Sequence, residues 1–150
     1  MLYIEELGAF VCNRTPHAIH WHCGDGVITI PPEGEPLRLH ERREEGGVIA
    51  TIRLLSVNLP EPKWLPAPSN DNNCGQEPFL ATAEPGKPCT DASGEFEYAP
   101  VLFIVSMAVA QYAATEGRMD FIAPDTSTAG AVRDSDGRIV GVRGFVRYSL

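Results

Sequence analysis

The chain has 150 residues, 43% of them hydrophobic and 21% charged, with a formal net charge of −8 and a pI near 4.9. That length supports one ordinary domain with its own core, and the acidic balance excludes a general nucleic-acid coat, whose affinity rests on cations. The charge is uneven: residues 1–100 carry 7 basic and 15 acidic groups, whereas 117–150 carry 5 Arg against 4 Asp, which directs any anion site to the C-terminal third.

Met1-Leu2-Tyr3-Ile4-Glu5-Glu6 has neither the basic start nor the apolar centre of a signal peptide. The longest nearly apolar run, Val101 to Ala114, is too short to span a bilayer, so a soluble cytoplasmic protein is expected. Phe10 to Asn13, Ile19 to Cys23 and Val27 to Ile30 are short β-prone runs. Gly24-Asp25-Gly26 between the last two is a strong hairpin signal. After the break at Pro31-Pro32-Glu33-Gly34, Leu37 and Leu39 alternate with Arg38 and His40 in a predicted half-buried strand, Leu37 to Arg43. Val48 to Leu55, following Gly46-Gly47, reads as its hairpin partner, and the first half as an antiparallel meander. Cys12 and Cys23 read as buried thiols.

From Leu59 to Ala99 the pattern stops, and seven of the thirteen prolines fall there with the polar run Ser69 to Asn73. Residues 61–99 are therefore expected to be a Pro-rich loop insertion within a single domain, 1–150. Cys74 and Cys89 flank part of it and could close a loop, although a reducing cytosol keeps such thiols reduced. Periodicity returns at Val101 to Val105, a strand buried on both faces. Ser106 is placed to cap a helix over Met107 to Glu116, which Gly117 ends, and Phe121 to Ala123 is the next strand. These elements form a compact βαβ unit. Ala131 to Arg133 and Arg138 to Arg143, joined by Asp134-Ser135-Asp136-Gly137, complete a closing hairpin. The predicted class is α+β: a mainly antiparallel N-terminal sheet with a C-terminal βαβ unit and hairpin.

Chemistry-bearing residues are sparse. His20 and His22 share a strand face, with His17 and Cys12 near in sequence and His40 a further donor, but no spacing completes a metal triad. Alternation with Ile19 and Trp21 explains both as the polar side of a hairpin. No Gly-x-Ser-x-Gly elbow, Walker A loop or Gly-x-Gly-x-x-Gly turn occurs, and Ser106 is accounted for by its cap. No catalytic residue, metal or cofactor is expected. The remaining constellation is Arg133, Arg138, Arg143 and Arg147, with Arg143 and Arg147 on one face if a strand runs through both. Asp125 and Thr126 follow a strand of the βαβ unit, where α/β sheets bind ligands, and Phe121 could stack a base. Arginine forks match phosphate oxygens, so the set suits a small phosphorylated nucleotide, or else pairs with surplus carboxylates.

Several segments occur in an order that is informative together. They are Asn13-Arg14-Thr15-Pro16-His17-Ala18-Ile19, Pro31-Pro32-Glu33-Gly34 with Arg38, Leu59-Pro60, and Phe103-Ile104-Val105-Ser106. Arg118 with Asp120, Pro124-Asp125-Thr126, Val132-Arg133-Asp134 and Gly137-Arg138-Ile139 follow. Over about residues 10–60 and 101–147 the chain resembles the anti-Thoeris sponge family, small phage and prophage proteins that sequester cyclic ADP-ribose immune signals. The resemblance implies a non-enzymatic binding protein, acting as a homodimer or higher homo-oligomer in the cytoplasm of the infected bacterium. Its partner would be a small cyclic nucleotide, a cyclic ADP-ribose isomer or a cyclic oligonucleotide, with no DNA, RNA or membrane. The positions carried over as ligand-binding are Arg38, Phe121, Asp125, Thr126, Arg143 and Arg147. Residues 61–99 depart from the family, whose members join the two halves by a much shorter linker. Two rival readings stand beside it: a small metal-dependent nucleotide hydrolase or phosphodiesterase using His20 and His22, and a phage structural or interaction protein.

Overall fold

A computed structural model of the chain describes residues 1–54, 57–68 and 77–150. The strands of its first half are β1 (Leu2–Ile4), β2 (Ala9–Asn13), β3 (Ile19–Cys23), β4 (Gly26–Ile30), β5 (Glu41–Glu44) and β6 (Thr51–Leu54). There follow β7 (Trp64–Pro66), β8 (Cys89–Thr90), β9 (Glu97–Ile104), the helix α1 (Met107–Thr115), β10 (Phe121–Pro124), β11 (Ala131–Arg133), β12 (Ile139–Val142) and β13 (Phe145–Val146). The fold is α+β, with one helix between two strands of a mixed sheet.

β9 is the spine. The amides of Val101, Phe103 and Val105 donate to the carbonyls of Lys63, Asp120 and Ile122 at 2.8, 2.8 and 2.9 Å, so one edge carries β7 and then β10. The other edge carries β8 and then β2. Both β2 and β10 run parallel to β9, β1 and β13 close the outside antiparallel, and the path reads β1-β2-β9-β10-β13. Alternation along β9 then builds three layers. Leu102 and Ile104 face a core shared with Trp21, Ile30 and Val142 of a second sheet, ordered β11-β12-β3-β4. Val101, Phe103 and Val105 face the opposite way, onto Val109, Ala110 and Ala113 of α1. A continuous apolar run is what a strand covered on both sides requires.

Local chemistry sets the ends of these elements. Gly24 takes φ 56° at the first of two turn positions between Cys23 and Gly26, a conformation cheap for glycine and matched to hairpin twist. Ser106 caps α1, its hydroxyl accepting from the Val109 amide at 3.4 Å. At the other end Gly117 enters the left-handed region at φ 74°, and the Arg118 amide reaches the Ala113 carbonyl at 2.9 Å, which closes the helix. The β11–β12 hairpin turns through Asp134, whose carboxylate accepts from the amides of Asp136 and Arg138 at 2.9 and 3.0 Å.

Three expectations need correction. The first-half strands form no single meander: β2 belongs to the main sheet and β3–β4 to the second, because β2 finds its partner in β9, about ninety residues on. The hairpin after Gly34 is shorter than predicted, pairing Glu41 with Leu54 and Glu44 with Thr51. Leu37 and Leu39 do pack on the core, but in irregular chain, and Val48 and Ile49 lie in the connecting loop. Within 61–99, β7 and β8 pair with the first half of β9, and Trp64 Nε1 donates to the Lys87 carbonyl at 2.8 Å. Short two- and three-residue strands leave no periodicity to read in sequence. Leu55, the run Ser69 to Asn73 and Cys74, with its suggested pairing to Cys89, lie outside the described residues.

The close approach of β12 to β3 makes one strict demand. A Cβ added at Gly141 would sit 2.6 Å from the His20 carbonyl oxygen and 2.6 Å from the His22 ring. Gly141→Ala is expected to destabilise the protein by about 1–3 kcal/mol, read as a lower urea midpoint with an unchanged slope.

Candidate functional site

The parallel strands β2, β9 and β10 end together, and the segments that leave their carboxyl ends form the best candidate site. Asn13, 1% exposed, organises the first of them. Its amide donates to the carbonyls of His17 and Ile30 at 2.8 and 3.0 Å, and its oxygen accepts from the Thr15 amide and hydroxyl at 3.0 and 2.6 Å. The Asn-x-Thr spacing is thus a folded turn, with every polar group of a buried amide matched. The segment around 33–37 is laid alongside it: the Glu33 amide bonds the Asn13 carbonyl at 2.8 Å, Arg14 Nε the Glu35 carbonyl at 2.7 Å, and the Leu37 amide the Arg14 carbonyl at 2.9 Å.

These ties deliver Arg38 to the carboxyl edge. It lines a crevice of about 370 Å³ with Thr15, Pro16, Glu41, Ser106 and Ala108, so the start of α1 forms the facing wall. On its other side Arg38 lines a hollow of about 720 Å³ with Glu35, His40 and Asn58. Arg38 is exposed and has no ion-pair partner among the described residues. The arrangement offers a guanidinium fork, the positive end of a nine-residue helix and two carboxylates able to accept from hydroxyls.

The other residues carried over fall in different places. Thr126 is exposed, with its hydroxyl 3.8 Å from Met107 Sδ, and lines a separate hollow of about 610 Å³ with His17, His20, Ile139 and Val140. Asp125 accepts from the Ser127 amide at 3.1 Å, and bonds from the Ser127 hydroxyl and amide hold its carboxyl below the ordinary range. Phe121 is a core residue, 1% exposed, stacked on Phe103 at 5.1 Å with the Arg118 guanidinium 5.0 Å from its ring centre, so neither face is open to a base. Arg143 donates to the Ala131 carbonyl at 2.8 Å and lies 3.5 Å from the Ala129 carbonyl, which binds it to the start of β11 and the loop before it. The strand does not run through Arg143 and Arg147: β12 ends at Val142, and β13 belongs to the other sheet. β13 runs antiparallel to β10, pairing Val146 with Ala123, so the chain at Arg147 runs back from the carboxyl end of β10, and Arg147 lines neither hollow beside Arg38.

Other motif residues serve the scaffold. Arg118 holds Asp120 through two bonds, 2.9 and 2.7 Å, and gives a third to the Pro60 carbonyl at 2.7 Å. That clamp fastens Leu59-Pro60 to the βαβ unit, and one hint of it in sequence is the i, i+2 spacing of the pair. Glu41 and Asn58 had no sequence signal as site residues; they are placed beside Arg38 by the fold. His20 bonds the Thr29 hydroxyl at 3.1 Å, and among the described residues no three His, Cys, Asp or Glu side chains group as metal ligands. Burial and the neighbouring Glu33 push the Cys12 thiol up to about 11. Comparison with protein-family models, curated proteins and solved structures finds no match for the chain.

Proposed function

We propose that the protein binds a small cyclic nucleotide of the ADP-ribose class in the Arg38 crevice and sequesters it without cleaving it, as a phage-type anti-defence protein. The observation that carries this reading is Arg38 itself: a guanidinium with no ion-pair partner among the described residues, between two hollows and opposite the start of α1. Phosphate would be held by the guanidinium fork and the α1 terminus, and ribose hydroxyls would donate to Glu35 or Glu41. The sequence resemblance to anti-Thoeris proteins supplies the ligand class. Sequestration needs affinity alone; a nanomolar dissociation constant is about −12 kcal/mol. The test is to incubate the protein with cyclic ADP-ribose, denature it and analyse the released nucleotide. Intact ligand agrees with sequestration, and a linear product would make the protein a hydrolase.

The protein is proposed to act as at least a dimer. The β5–β6 hairpin supports this, since among the described residues it pairs with no other strand, and it projects Val48 at 102% and Ile49 at 74% exposure. A two-stranded ribbon alone in water is marginal, and burying its apolar tip in a second copy would steady it. Sedimentation at micromolar concentration is expected to give a dimer or larger species. Val48→Ser with Ile49→Ser is expected to shift it toward monomer, and a wild-type monomer would remove the proposal.

A further inference from the structure

The hollow of about 610 Å³ that Thr126 lines is bounded by three segments distant in sequence: 17–20, Pro124 with Thr126, and 139–142. Its origin is irregular pairing on both sides of β12. β12 meets β3 in a single pair, Val142 with Trp21, and no pair precedes it. On the other side Gly141 is opposite Val132 and Ile139 is opposite Arg133, which leaves Val140 with no opposite residue. That is a β-bulge, a device that re-aims side chains. Neighbours in a regular strand point to opposite faces, yet Ile139 and Val140 both line this hollow, 44% and 42% exposed.

The lining is selective in its chemistry. No Asp, Glu, Lys or Arg is among the described residues around the hollow, although the chain carries 20 acidic and 12 basic groups. A charged ligand would shed water there and gain no counter-charge in return. Ile19, Pro124, Ile139 and Val140 supply apolar wall, and the polar side chains are His17, His20 and Thr126, all exposed. The Asn13 amide and the Thr15 hydroxyl pin the His17 carbonyl at 2.8 and 3.0 Å, while its ring makes no hydrogen bond among the described residues. His20 bonds the Thr29 hydroxyl through Nδ1 alone, and the Thr126 hydroxyl meets only the Met107 sulfur, at 3.8 Å. Imidazoles and hydroxyls can each donate and accept. Apolar walls with a few convergent polar groups, at this volume, are the make-up of a small-molecule site.

We infer that this hollow binds a small, uncharged, largely apolar molecule with one hydrogen-bonding group, its body against Ile139 and Val140 and its polar group toward His17, His20 and Thr126. The site is separate from the Arg38 crevice and independent of the nucleotide reading. The experiment is an amide-resolved NMR titration of the whole protein at about pH 8. The probes are indole-3-carboxamide, indole-3-carboxylate and 3-(aminomethyl)indole, which are close in shape and differ in charge. The carboxamide is expected to give saturable shifts at His20, Thr126, Ile139 and Val140, with both charged probes at least about tenfold weaker. Val140→Glu is expected to weaken the carboxamide at least about tenfold with the melting temperature unchanged, since the residue is exposed and lies at the bulge. His17→Ala, which deletes a ring bonded to no described residue, is expected to weaken it about threefold and serves if Val140→Glu does not fold. Equal binding of the three probes, or no saturable shift at these amides at millimolar carboxamide, would overturn the inference. So would undiminished binding by folded Val140→Glu, or by His17→Ala in its place.

Discussion

Arg118→Ala is expected to lower stability by about 3–5 kcal/mol, because it strands the carboxylate of Asp120, which is 1% exposed, inside the protein. The Pro60 carbonyl loses its donor in the same step, and the ring of Phe121 loses the guanidinium 5.0 Å from its centre. In a chain of this size the loss corresponds to a melting temperature lower by about 10 °C. Asp120→Ala should fall in the same range, for it leaves a half-buried guanidinium with one carbonyl partner. The double substitution Arg118→Met with Asp120→Leu separates the charge from the clamp. Replacing both ions by apolar groups removes the stranded charge, so most of the stability should return, short by about 1 kcal/mol for the bond to Pro60. Denaturant melts of the three variants read this directly. If Arg118→Ala melts like wild type, the clamp does not hold Leu59-Pro60 against the βαβ unit.

The second large effect is on binding. Arg38→Glu is expected to weaken cyclic nucleotide at least about a hundredfold, close to 3 kcal/mol, with the melt unchanged. Arg38 is exposed and no described residue depends on it for an ion pair, so its reversal should leave the fold alone. Arg143→Glu should do the converse. It takes the donor from the Ala131 carbonyl and sets a carboxylate against that oxygen, so it should cost stability first and affinity only through the loop beside Asp125. Arg147→Glu is the control for the long-range field of an acidic protein, since it adds the same charge at a residue that lines neither hollow beside Arg38. A loss shared equally by Arg38→Glu and Arg147→Glu, and erased by salt, would mean general electrostatics and no local phosphate contact.

The order of the main elements was legible because their signals are local. Val101 to Val105 is apolar at every position, Ser106 and Gly117 bracket α1, and Gly24-Asp25 turns a hairpin, each visible within a dozen residues. What could not be read was partnership at a distance. Nothing in Ala9–Asn13 names Val101–Ile104 as its neighbour, and the pairing of β7 and β8 with β9 involves strands too short to alternate. The arginines show the same limit. Arg143 and Arg147 have the right spacing for one face, but the chain bends at Arg143 and passes from β12 to β13, strands of different sheets. Phe121 reads equally as a stacking platform or a core ring, and its neighbours Phe103 and Arg118 decide for the core. Arg38 drew attention through its motif alone. The reason it stands at the carboxyl edge is the hydrogen-bonded turn at Asn13, which only the fold reveals.

Calorimetric titration of cyclic ADP-ribose into the wild-type protein and into Arg38→Glu tests the nucleotide reading most directly. The expected result is saturable binding with a nanomolar dissociation constant for the wild type and no measurable heat for the variant at the same concentrations. Absence of binding by folded wild-type protein, or equal affinity of the two proteins, would contradict it.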